Sequence, residues 1–294
     1  MFDLRYHVAS LAAVFLALII GILVGVGIAS QTSVEESERR VLEERIADLQ
    51  RSLERASADA DLLRRQQEAS ATYVERSYPA VMEGRLRGVR VALLFVGQAD
   101  PSLQQAVTQT LEDAGGPGLA RMHALQLPVD PEAVRVSLET DDGTTVQLDE
   151  VGRRLGAELV SGGETPTWNA LSQMIVEDRL GGLDEEVDGI VVAHTARITH
   201  APTARFVSGL YAGIAGSGVP SVGIERTNDR PSRIAIYRGG GLSTVDSVDA
   251  PLGRVALAEL LRGGAEGHYG LKSTAEDGSV PRIEPLPLAP LPGG

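Results

Sequence analysis

The sequence predicts an α/β protein in three parts: a single N-terminal transmembrane helix, a coiled-coil stalk, and a soluble domain on a mostly parallel, Rossmann- or flavodoxin-like sheet. Three observations predict it. Residues 8–29 carry no charge, a heptad seam begins at Leu42, and from Val89 short apolar runs alternate with helical patterns. The expected divisions are a cytoplasmic segment 1–7, a transmembrane helix 8–29, a coiled coil 34–77, an extracytoplasmic α/β domain 88–272 and a proline-rich, disordered tail 275–294.

The uncharged run from Val8 to Ala29 reaches about 33 Å as a helix, enough to cross the hydrocarbon layer. Gly27-Ile28-Ala29 also fits a signal-peptide cleavage site, but the apolar core of such a peptide is shorter, which favours an uncleaved anchor. Arg5 precedes the run, while Glu35, Glu36 and Glu38 follow it ahead of Arg39 and Arg40. This asymmetry places the N-terminus inside and the body outside. Ala9, Ala13, Ala17, Gly21, Gly25 and Ala29 recur at every fourth position. Such a stripe lets two membrane helices approach closely, the alternative being the general abundance of Ala and Gly in membrane helices.

Beyond the anchor, Leu42, Ile46, Leu49, Leu53, Ala56, Ala60, Leu63, Gln67, Ser70 and Val74 alternate steps of four and three, with charged residues between them. That is the seam of a coiled coil, so a homodimer or higher oligomer is expected. The alternative is a solvated helix folding back on its own domain. Pro79 is expected to end the helix at Tyr78, because a residue before proline is pushed out of helical geometry.

In the domain, Val89 to Val96 reads as a strand covered on both faces. A helix follows, capped by Asp100 with Pro101 in its first turn, burying Leu103, Val107, Leu111 and Ala114 and closing at Gly115. Helices are expected at 151–160 and 168–180, strands at 190–193 and 221–224, and further helices at 204–215 and 255–261. In a parallel sheet ligands sit beyond the carboxyl ends of the strands, here Gly97, Gln98, His194, Thr195, Glu225 and Arg226.

Composition removes several functions. A net charge of −13 argues against a nucleic-acid partner, and the absence of cysteine removes disulfides, thiolate metal sites and thiol catalysis. No Walker-type loop or Gly-x-Ser-x-Gly elbow occurs, and His194 and His200 are spaced unlike a zinc pair. Met122 and His123 are adjacent on a strand and so face opposite sides of the sheet. No catalytic residue, enzyme activity or resident cofactor is expected.

The most distinctive stretch comprises Ser243, Thr244, Val245, Asp246, Asp249, Gly253, Arg254, Gly267, His268, Tyr269 and Gly270. Asp246, Asp249, Arg254 and His268 could converge on a polar pocket. Alternatively, Asp249 caps a helix, Arg254 pairs with Asp246, and the glycines shape turns. Together with Leu4-Arg5, His7 and Ser10 to Leu18, in that order along the chain, these residues resemble the MctB-like family of actinobacterial copper transporters. The resemblance implies copper transport or copper homeostasis at the cell envelope, and brings no metal site with it. Copper(I) prefers thiolate and thioether, which are scarce here, whereas copper(II) accepts imidazole and carboxylate. His268 with Asp246 or Asp249 is then the candidate metal set, with His194 in reserve. One helix makes no pore, so transport would need several copies or a membrane or envelope protein partner. The alternative is a non-enzymatic envelope scaffold that dimerises through its stalk and recruits a partner in wall remodelling or cell separation.

Overall fold

The computed structural model describes residues 4–138 and 146–286 and divides the chain at Ala71 and Thr72 into two compact units. Residues 1–3 of the expected N-terminal segment and 287–294 of the expected tail lie outside the described residues.

The first unit belongs to helix α1 (Leu4–Met82). Its segment His7–Gly27, of mean hydropathy 2.8, is long and apolar enough to cross a membrane. A Cβ added at Gly21 or Gly25 would meet nothing within 4 Å, so this part of the small-residue stripe with Ala13 and Ala17 is open. The seam side chains Leu42, Ile46, Leu49, Leu53 and Leu63 are all exposed.

The second unit opens with a correction: α1 does not stop at Tyr78 but continues through Pro79 to Met82. Pro79 lacks an N–H, yet its carbonyl still accepts from the Glu83 N–H at 3.0 Å. Tyr78 donates its hydroxyl to Asp113, and Met82 and Leu86 are fully buried. Packing of this last turn into the core outweighs the lost hydrogen bond.

The elements that follow are β1 (Val91–Val96), α2 (Pro101–Asp113), β2 (Leu119–Leu125), α3 (Pro131–Ser137), α4 (Leu148–Ser161), α5 (Pro166–Ile175), β3 (Val176–Leu180), β4 (Gly189–His194), α6 (Ala201–Ala215), β5 (Ser221–Ile224), α7 (Ile234–Gly239), β6 (Ser243–Val245), α8 (Pro251–Leu261) and β7 (His268–Tyr269). The strands lie in the order β3-β2-β1-β4-β5-β6-β7, and only the β2–β3 pairing is antiparallel. Setting aside the edge strands β3 and β7, this is the flavodoxin-like doubly wound order, and its direction reverses between β1 and β4. Alternate residues of β1 feed two cores. Ala92, Leu94 and Val96 join α4, α5 and α6, while Val91, Leu93 and Phe95 join α2, α8 and Met82.

Two expectations fail here. The helix expected over 168–180 ends at Ile175, because Val176–Leu180 pairs with the open edge of β2, Leu125 opposite Val176, and satisfies backbone groups there. Residues 275–286 of the expected disordered tail are held in place. Asp277 accepts from the His268 N–H at 2.8 Å, Gly278 accepts from Gly270 at 3.1 Å, Pro281 is buried, and the Glu284 carbonyl accepts from Arg85 at 3.1 Å.

On one side of the sheet, α4 and α6 touch backbone to backbone. A Cβ at Gly152 or Gly156 would lie 2.1 or 2.2 Å from the carbonyl of Phe206 or Leu210, and one at Gly209 or Gly213 would lie 1.9 or 2.0 Å from that of Asp149 or Arg153. Only hydrogen fits at these four positions.

Candidate functional site at the carboxyl ends of the strands

Beyond the ends of β1 and β4, the two following loops are zipped together. The Thr195 and Ala196 N–H groups donate to the Val96 carbonyl at 3.0 Å, and the Thr195 hydroxyl donates to the Gln98 carbonyl at 2.7 Å. Gly97 permits this approach: its φ is +115°, and a Cβ there would lie 2.6 Å from both Ala196 N and Thr195 Oγ1. Of the residues expected at this end of the sheet, the structure gathers His194, Thr195, Glu225 and Arg226 around one cleft of about 190 Å³. Gln98 lines a different hollow, with Glu177. Asp100, Asp229, Arg230 and Arg233 complete the polar wall of the cleft. In the sequence Asp100 reads only as a helix cap, and the signal for the 229–233 loop is its two arginines in five residues.

Arg226 bridges Asp100 and Asp229, at 3.0 Å each. Asp100 also caps α2, accepting from the Ser102 and Leu103 N–H groups at 2.9 and 3.2 Å. Partial burial works against its ionisation, but those bonds, the Ser102 hydroxyl and Arg226 together hold its carboxyl below the usual range. Glu225 is buried and accepts from Lys272 Nζ at 2.6 Å, the Ser232 hydroxyl at 2.8 Å and the Arg233 N–H at 2.7 Å. Lys272 is the sole lysine of the chain.

His194 is buried beside two tyrosines. Its Nδ1 is 2.6 Å from the Tyr211 hydroxyl, and its backbone N–H donates to Tyr237, whose hydroxyl donates to the Ile224 carbonyl at 3.0 Å. Burial pushes the imidazole down to about 4, helped by Arg233 and opposed by the Ala196 backbone, which lies outside hydrogen-bond geometry. His194 is therefore neutral at pH 7. On β2, His123 is likewise pushed to about 4, by burial and then by Arg121 and Arg179. Its ring packs against Trp168 at 4.6 Å, inclined by 50°, while Met122 joins the core on the opposite side of the sheet.

The distinctive 243–270 stretch builds the support behind this cleft. Thr244 and His268 are paired across β6 and β7, with Thr244 Oγ1 and His268 Nδ1 3.1 Å apart. Ser243 accepts from the Gly267 N–H at 3.2 Å, and Val245 is fully buried. Asp246, also buried, accepts from the Leu271 and Lys272 N–H groups at 2.8 and 3.2 Å and from the Thr274 hydroxyl at 2.7 Å. Gly270 has φ +145°, and a Cβ there would lie 1.8 Å from Asp246 Oδ1. The grip of Asp246 on the turn delivers Lys272 to Glu225. At Gly253 a Cβ would lie 1.9 Å from the Ser247 carbonyl, and the Tyr269 hydroxyl donates to the Glu266 carbonyl at 3.3 Å.

Both local pairings expected in this stretch are different in the structure. Asp249 makes no cap to α8; it accepts from the Thr227 N–H and hydroxyl at 2.8 and 2.9 Å, tying two loops together. Arg254 pairs with Asp113 at 3.6 Å and stacks over Tyr78 at 5.1 Å, because Asp246 is already occupied by the 271–274 turn. Asp246, Asp249 and His268 each have separate hydrogen-bond partners, and His194 lies at another strand end. Among the described residues no group of three His, Cys, Asp or Glu is placed to hold a metal ion.

A family model described as copper transport outer membrane protein, MctB, matches residues 1–280. The copper transporters MctB of Mycobacterium bovis and of Mycobacterium tuberculosis are each 28% identical over 315 residues, spanning 92% of this chain and 96% of the relative.

Proposed function

We propose, from the premise that the chain belongs to the MctB family, that it serves copper transport or copper homeostasis at the cell envelope. The observation that carries this reading is a family match over residues 1–280 of 294. The chain acts without enzymatic chemistry, as a single-pass anchor with its α/β domain outside the cytoplasm; the apolar helix His7–Gly27 supports the anchor. The seam Leu42 to Leu53 and the stripe through Gly21 and Gly25 support a parallel dimer or higher oligomer. A lone apolar helix offers an ion no polar path, so copper is the cargo of an assembly of copies or of a membrane partner. A second reading, an envelope scaffold that recruits a partner, is favoured by the exposed apolar seam, which invites another helix.

Copper dependence separates the two. A strain lacking the chain should change its cell-associated copper and its tolerance of added copper, and restoring the full chain should reverse both. Unchanged copper content and tolerance, with altered cell separation, would replace transport by the scaffold.

A further inference from the structure

We propose that the cleft at the carboxyl ends of β4 and β5 binds a small oxyanion, a phosphate or a carboxylate, through the Arg233 guanidinium, with Arg230 on its rim and the neutral His194 imidazole in its wall. The charges lining the cleft decide its sign. Asp100 and Asp229 are both engaged by Arg226, and Glu225 is neutralised by Lys272. Arg233, half-buried, and Arg230, exposed, line the same cleft with no carboxylate in ion-pair reach among the described residues. Asp100, Glu225 and Asp229 stand against Arg226, Arg230, Arg233 and Lys272, a sum of +1 in a chain of net charge −13, so the sign of the field reverses locally.

The second observation is the imidazole. His194 is 7% exposed, and its Nε2 is buried with no hydrogen-bond partner. The Tyr211 phenol is completely buried, which raises its pKa well above the ordinary value and keeps its proton in place. Among the described residues its one hydrogen-bond partner is His194 Nδ1, at 2.6 Å. The phenol therefore donates, Nδ1 accepts, and the remaining imidazole proton resides on Nε2. A buried N–H without an acceptor is costly, and a negative charge held on the neighbouring Arg233 lowers that cost and makes the imidazole a reporter of the cleft. A metal ion would meet a wall that holds an imidazole N–H and two guanidinium groups, all donors; an anionic oxygen suits them, and arginine matches phosphate and carboxylate geometry. A volume of about 190 Å³ admits one such group with water or the tip of a larger molecule.

The full chain in detergent, labelled with 15N-histidine, presents five imidazoles, and a His194→Gln variant assigns the relevant signal. Inorganic phosphate and acetate are titrated separately at pH 7 against sodium chloride of equal ionic strength, so that phosphate-type and carboxylate-type ligands are told apart. The expected result is a saturable shift of the His194 signal by at least one probe. Arg233→Gln should weaken binding about ten- to hundredfold, the loss of one charge-assisted contact, and the exposed Arg230→Gln should weaken it less. Tyr211→Phe should alter the tautomer signature of His194 in the free protein. The proposal is overturned if neither probe moves His194 beyond the chloride control at tens of millimolar, if all five histidines move alike, or if both arginine variants bind as wild type.

Discussion

Replacing Asp246 by alanine should destabilise the α/β unit severely, and the structure sets the size of the effect. The carboxylate is 1% exposed and accepts three hydrogen bonds, from the Leu271 and Lys272 N–H groups and the Thr274 hydroxyl. Its removal leaves those donors without their acceptor and opens a small void, a loss of about 3–5 kcal/mol. That is a large share of the ~5–15 kcal/mol that holds a domain folded. Asp246→Asn keeps the shape and one acceptor oxygen but turns an NH2 toward a donor, so about half the loss is expected. Urea unfolding of the full chain followed by Trp168 fluorescence is the assay, since this sole tryptophan is 6% exposed and sits inside the α/β core. A cost below about 1 kcal/mol for Asp246→Ala, or equal costs for the two variants, would refute the clamp and reopen a ligand-binding role for this carboxylate.

Three other outcomes are expected. His123 and His194, both near 4 in the folded chain, have an ordinary value of about 6.5 when unfolded, so the unfolded state binds more protons between these values. Their contribution is complete above about pH 6.5 and falls by up to ~3 kcal/mol each as pH drops to about 4; His123→Phe should flatten the profile, and unfolding curves that are constant from pH 7.5 to 4.5 would contradict it. Gly152→Ala and Gly209→Ala, whose methyl groups would lie 2.1 and 1.9 Å from carbonyl oxygens, should each lower stability by several kcal/mol, while Gly239→Ala, with nothing within 4 Å, should stay within about 0.5 kcal/mol. Combining Gly21→Leu, Gly25→Leu and Ile46→Asp should lower the oligomeric mass in mild detergent, and a monomeric wild-type protein across a range of concentrations would count against the stalk dimer.

Much of the fold was legible because periodicity and caps are local signals. Val91 to Val96 has no polar residue, as a strand covered on both faces requires, and Asp100-Pro101 announces α2 by the first residues of the helix itself. Pro79 and Val176–Leu180 misled for the opposite reason. Each is decided by a partner distant in sequence, the buried socket of Met82 in one case and the free edge of β2 in the other. The site was legible as a place and not as a set of bonds. Topology put His194, Thr195, Glu225 and Arg226 at one end of the sheet. The pairing of Lys272 with Glu225, 47 positions apart, needs the turn that Asp246 closes, and no spacing rule encodes it. Residues expected to act together as ligands, Asp246 and His268, instead brace neighbouring strands and loops.

The glycine crossing of α4 and α6 has a consequence for His194. Tyr211 lies between Gly209 and Gly213 on α6, so the hydroxyl that sets the tautomer is carried by the helix whose backbone rests directly on another backbone. Bare main chains in contact leave no layer of side chains to give way, so carbonyl oxygens rather than rotamers set the position of α6 along α4. That position places the Tyr211 hydroxyl 2.6 Å from Nδ1. The proton on Nε2 is thus fixed, through Tyr211, by a contact between main chains, and a methyl group at Gly209 or Gly213 that pushed α6 away would disturb it without touching the imidazole.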